Sequence, residues 1–78
     1  MKTNNRKHYP RLRELRAAAG LTQTEIADIL EMQQNQYSRY ERGIQKMGID
    51  KYIVLAQYYN VSLDYLTGLI DKPRKLRP

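Results

Sequence analysis

The sequence predicts an all-α fold, a compact domain of five short helices. Three observations carry that prediction. Apolar residues recur at i, i+3 and i+4 along most of the chain. Cap and stop residues fall between those runs. No segment alternates apolar and polar residues in the manner of a half-buried strand.

The first helix is expected over 10–19. Pro10 suits a first turn, where its missing N–H costs nothing. Leu12, Leu15 and Ala19 form the apolar side, and Gly20 is the stop. The second helix is expected over 23–30, with Thr22 as its cap. Thr22 and Glu25 have the capping-box spacing, and Leu21 with Ile26 makes the hydrophobic staple. Ile26, Ala27 and Leu30 are its apolar face. So short a helix is unstable alone and must pack against a neighbour. Glu31 and Met32 form a tight break.

The third helix starts at Gln33 or Gln34 and runs to Arg42, with Tyr37 and Tyr40 turned inward and Gly43 as the stop. A loop over 44–48 leads to a fourth helix from Ile49 to Tyr59. Its expected buried stripe is Ile49, Tyr52, Ile53, Ala56 and Tyr59, widened by Leu55. Asn60 takes a left-handed cap. Ser62 caps a last helix over 63–69, with Leu63, Leu66 and Leu69 apolar and Asp64 complementing the helix dipole. Residues 71–78 read as a mobile tail, with Pro73 as a stop.

Composition removes several function classes. With no cysteine, disulfides, thiolate catalysis and cysteine-based zinc sites are excluded. No apolar run approaches the ~20 residues that span a bilayer. The N-terminus lacks the apolar stretch of a signal peptide, and a cytoplasmic location is expected. The single histidine, His8, falls in a polar arm and reads as an exposed titrating group. Asp28 and Glu31 lie close in sequence without a metal-ligand pattern around them. No nucleophile is paired with a base, and no glycine-rich phosphate loop exists. Neither an enzyme nor a cofactor is expected, and no small-molecule ligand is evident. The net charge of +6 is uneven: residues 1–16 carry +5, residues 72–78 carry +4 and residues 17–71 carry −3. Such ends suit phosphates or serve as solvated tails, and composition leaves both readings open.

The second and third helices carry the chemistry. Two short helices joined by a tight turn can lay the second one in a DNA major groove, which is about 12 Å wide. The polar side of the third helix offers Gln33, Gln34, Asn35, Gln36, Ser38 and Arg39. Each carboxamide pairs a donor with an acceptor, as bidentate contact with adenine requires. The Arg39 fork suits guanine O6 and N7. The expected organisation is a flexible basic arm at 1–8, a helix-turn-helix domain at 9–70 with the helix pair at 23–42, and a basic tail at 71–78.

Leu21-Thr22-Gln23, Ile26-Ala27 and Ser38-Arg39-Tyr40-Glu41-Arg42-Gly43 together resemble the Xre/Cro-type, lambda-repressor-like helix-turn-helix proteins. Leu55-Ala56 and Val61-Ser62-Leu63-Asp64-Tyr65-Leu66 extend the resemblance, which covers about 9–68. It implies a five-helix lambda-repressor-like domain and a sequence-specific transcriptional regulator, with a repressor expected. By the same resemblance, Gln23 holds a backbone phosphate, and Gln34, Asn35 and Arg39 meet base edges. Gln33 sits at the helix cap, and Gln36 and Ser38 flank the bases. Arg42, Lys46 and the 43–47 loop grip the other phosphate strand. Tyr40 adds a hydroxyl contact or serves the core. Arg16 and Glu41 match a partly buried ion pair that orients the reading helix. Two departures concern geometry: Glu31 stands where a glycine is usual, and no proline lies near Met47.

The implied partner is double-stranded DNA, bound as a homodimer on a palindromic operator with half-sites about 34 Å apart. Val61, Leu66, Leu69 and Ile70 are the expected self-association surface, and a monomer that pairs only on DNA is the equal alternative. The alternative is an antitoxin-like or other protein-interaction module built on the same fold.

Overall fold

The computed structural model describes residues 10–78. The expected arm at 1–8, with His8, lies outside the described residues. The helices are α1 (Pro10–Ala18), α2 (Gln23–Ile29), α3 (Gln34–Glu41), α4 (Ile49–Tyr59) and α5 (Leu63–Thr67). The all-α class is as the sequence predicted, with no strand among the described residues.

Local chemistry sets the boundaries. Thr22 accepts from the Glu25 N–H at 3.1 Å, and the Glu25 carboxylate accepts from the Thr22 N–H at 2.8 Å. Ser62 accepts from the Tyr65 N–H at 3.2 Å and starts α5. All five helices end alike. A residue turns left-handed, and the next N–H reaches back five residues: Leu21 to Arg16, Met32 to Ala27, Ile44 to Arg39, Val61 to Ala56 and Leu69 to Asp64. Asn60 takes the expected left-handed cap at φ 56. Gly68, at φ 90, ends α5 earlier than the expected 69. Its backbone adopts a conformation that Leu69 would resist, so the chain turns there.

Leu12, Ile26, Leu30, Tyr37, Leu55 and Leu66 are fully enclosed. Each of the aliphatic side chains among them contributes about 1.5–3 kcal/mol by leaving water. Around this centre α2 packs on α3, α1 packs on α3 and α5, and α4 packs on α5. The phase of α4 differs from the sequence expectation. Its buried stripe is Tyr52, Leu55 and Ala56 with Tyr59 half-buried, at i, i+3, i+4 and i+7. Ile49 and Ile53 were expected in that stripe and are exposed. They sit on its flank, beyond the arc that α5 and the core cover. Val61 and Leu66 belong to the core, so they cannot form a self-association surface; Leu69 is 78% exposed and Ile70 half-buried.

The C-terminal segment also departs from expectation. Residues 71–78 lie on the surface, yet they are docked. Arg74 accepts at its carbonyl from the Ser62 N–H at 2.8 Å. The Asn60 carboxamide brackets Arg77, accepting from its N–H at 2.9 Å and donating to its carbonyl at 3.1 Å. Arg11 closes the other side of this region. Its guanidinium stacks 4.6 Å from the Tyr65 ring centroid and donates to the Ile70 carbonyl at 3.4 Å. No helix among the described residues is long and apolar enough to cross a membrane.

Candidate nucleic-acid interface

α2 and α3 meet at the turn 30–33, and that turn is strained. Glu31 has φ 59, in the left-handed region where a side chain costs about 1–2 kcal/mol. The neighbouring carbonyl of Leu30 accepts from the Lys51 ammonium at 2.8 Å, so α4 braces the end of α2. A cation at a helix C-terminus is favourable for the dipole as well. Glycine is absent from the turn, yet the backbone follows the glycine geometry. The second departure is also accommodated: Met47, in place of a proline, is buried and anchors the loop after α3 in the core.

α3 begins after Gln33, whose backbone is extended and whose side chain makes no cap hydrogen bond. At about 100° per residue, Tyr37, Tyr40 and Glu41 fall on one arc and Asn35, Ser38, Arg39 and Arg42 on the opposite one. The first three are buried. Gln33, Asn35, Arg39 and Arg42 are exposed, and Ser38 is half-buried. Gln34 and Gln36 lie at the flanks, both half-buried.

A hydrogen-bonded chain runs beneath that outer face. Arg16 donates from Nε to Glu41 Oε2 at 2.6 Å and from Nη2 to Oε1 at 3.2 Å. Gln23 donates from Nε2 to Glu41 Oε1 at 3.0 Å. Gln34 donates from Nε2 to Gln23 Oε1 at 2.6 Å. Arg16 also holds the Leu21 carbonyl at 3.0 Å. One buried ion pair thus fixes the end of α1, the start of α2 and both ends of α3. The Glu41 side chain is 4% exposed and that of Arg16 16%.

Burial alone pushes the Glu41 carboxyl up, but Arg16, Tyr37 and Gln23 outweigh it, and its pKa is lowered. The Tyr37 hydroxyl faces this carboxylate without forming a well-aligned hydrogen bond. Burial and the adjacent anion push its pKa far above the ordinary phenol range. The hydrogen bond to Glu41 raises the pKa of Arg16, against the opposing effect of partial burial. The pair is therefore charged throughout the ordinary pH range.

The remaining candidates are distributed as follows. Arg39 donates from Nε to Gln45 Oε1 at 3.0 Å. Gln36 donates to the Tyr40 hydroxyl at 3.0 Å, and Tyr40 itself belongs to the core at 7% exposure. Arg42 caps the end of α3, and Lys46 stands in the following loop; both are exposed. The structure therefore brings Gln23 and Gln34 together and leaves Asn35, Arg39 and Arg42 exposed on one side, with Arg39 bonded to Gln45. No group of three or more potential metal ligands exists among the described residues. Sequence reasoning did not find Lys51, Arg11 or Gln45. Their partners are 21, 59 and 6 residues away, across element boundaries where no periodicity operates.

Comparison with known proteins follows the same residues. A family model described as Helix-turn-helix (HTH_3) matches residues 12–66. The HTH-type transcriptional regulator YobD of Bacillus subtilis is 41% identical over 63 residues, covering 81% of this chain and 56% of that protein. The HTH-type transcriptional regulator ImmR of the same organism is 42% identical over 65 residues, covering 83% and 51%. The crystal structure of a transcriptional regulator from Listeria innocua superposes with a TM-score of 0.73 at 34% identity, covering 80% of this chain and 58% of that one. The chain spans about half the length of the curated relatives it matches. With its tightly joined helix pair, buried ion pair and exposed outer face on α3, this chain belongs to the Helix-turn-helix (HTH_3) family, to which it is matched alongside HTH-type transcriptional regulators.

Proposed function

We propose that this protein is a sequence-specific repressor that lays α3 in the major groove of its operator. The observation that carries this reading is the outer face of α3: Asn35, Arg39 and Arg42 are exposed while the opposite face is locked in the core. Gln34, Asn35 and Arg39 read base edges, with Gln33, Gln36 and Ser38 beside them. The Gln23–Gln34 hydrogen bond sets the Gln34 carboxamide, so its Oε1 and remaining N–H meet adenine without searching rotamers. Gln23, Arg42 and Lys46 hold phosphates, which supplies grip without sequence information. The Tyr40 hydroxyl accepts from Gln36, which leaves its own O–H to donate to a phosphate.

One such helix reads few base pairs, so the proposal includes a pair of chains on a palindrome. Repression needs only occupancy of an operator that overlaps a promoter. Selection of bound sequences from a random duplex pool tests the reading. An enriched palindrome with half-sites about one helical turn apart is expected. Recovery of the unselected pool composition overturns it.

A further inference from the structure

The loop after α3 holds a residue that neither composition nor spacing singled out. Gly43 turns the chain left-handed at φ 77, and the backbone doubles back over the last turn of α3. The Arg39 carbonyl then accepts from two N–H groups, Ile44 at 3.0 Å and Gln45 at 3.4 Å. The Gln45 side chain closes a ring by accepting from Arg39 Nε at 3.0 Å. Backbone and side chain of Gln45 are thus both tied to the residue proposed to read guanine. No other side-chain partner holds Arg39 among the described residues.

A guanidinium can present two different forks. One is the side-on edge, made by Nε and one Nη. The other is the end-on edge, made by both Nη groups. A bond from Nε to Gln45 uses up the side-on edge and leaves the end-on edge open, with one N–H from each Nη side by side. It also restrains a long side chain whose free rotation otherwise has to be frozen on binding. We infer that Gln45 is a positioning residue for recognition: it fixes the Arg39 guanidinium so that the end-on fork meets O6 and N7 of one guanine. The inference rests on the proposed reading of bases by Arg39.

The test compares binding of the wild type, Arg39→Ala, Gln45→Ala and Gln45→Glu. Each is titrated against the selected operator and against its single-base-pair variants. Arg39 and Gln45 are both exposed, and thermal melts check that every variant folds. Arg39→Ala should erase the preference for guanine at one position of each half-site. Gln45→Ala should reduce that preference roughly fivefold, part of the discrimination a bidentate pair supplies, and leave other positions unchanged. Gln45→Glu keeps an oxygen on Nε and should keep the preference, although its charge weakens binding to every sequence. Should Arg39→Ala alter no preference, the reading of bases by Arg39 fails. Suppose instead that Arg39→Ala acts as expected. The inference alone is then overturned by a Gln45→Ala variant with wild-type preference, by one weakened equally on all sequences, or by loss of the preference in Gln45→Glu.

Discussion

The inner and outer faces of α3 and its C-cap alternate along the same stretch, 34–42, and differ in almost every physical respect. The inner face is Tyr37, Tyr40 and Glu41, buried and tied to α1 and α2. The outer face is Asn35, Arg39 and Arg42, exposed and held, where it is held at all, by a single loop side chain. The contrast separates two tasks. Side chains that must meet a partner need donors and acceptors left over after folding, as Gln34 and Arg39 retain, so most of the rigidity comes from the other side of the same helix. Here it comes from a buried ion pair, a device whose removal is costly even when its net contribution is small.

The largest expected effect strikes the inner face. Arg16→Ala leaves Glu41 charged and enclosed, and should cost about 3–5 kcal/mol in urea denaturation. Arg16→Met combined with Glu41→Leu should cost less than Arg16→Ala, because no charge is stranded. Equal losses in the two variants would show that the pair is not the framework described. The same carboxylate predicts a pH response. The folded-state pKa of Glu41 lies below its unfolded value. Its stabilisation is therefore present above the unfolded value, about 4.3, and disappears as pH falls through the folded one. Melting temperature should hold from neutral pH to about pH 5 and decline below about pH 4. Glu41→Gln should flatten that acid decline relative to wild type while melting lower at neutral pH.

Outer-face changes should act the other way. Arg39→Ala should leave the melting temperature unchanged and cost about 1–3 kcal/mol of discrimination at one base pair. Destabilisation by this variant would blur the division between the faces. Between the two faces lies the turn that joins α2 to α3. Glu31→Gly should relieve the left-handed strain and raise stability by ~1 kcal/mol, with no change in sequence preference. The smallest effect is expected in the loop. Lys46→Ala should weaken binding to all sequences alike and reduce the salt slope by about one.

The two faces were also unequally legible in the sequence. Helical spacing alone places Tyr37 and Tyr40 inward and Asn35 and Arg39 outward, but it misses that Gln34 and Gln36 are half-buried and bonded to Gln23 and Tyr40. The Thr22–Glu25 box and the stops at Gly20, Gly43 and Asn60 were legible because each depends on a few adjacent residues. The pairing of Arg16 with Glu41 came from resemblance, since nothing local joins positions 25 apart. Errors arose where apolar residues outnumber the positions the core can cover. Ile49 and Ile53 drew the α4 stripe out of phase, and Leu69 concealed the stop at Gly68. The docking of 71–78 was invisible for a different reason: Asn60 and Ser62 grip its backbone, which carries no sequence signature.

Replacing guanine by 7-deazaguanine, one position at a time across the selected operator, removes a major-groove acceptor and leaves base pairing and the minor groove intact. If the outer face of α3 reads bases, one guanine in each half-site should become sensitive in the wild type, and Arg39→Ala should bind both versions alike. Wild-type binding that is indifferent to every such replacement would contradict the account.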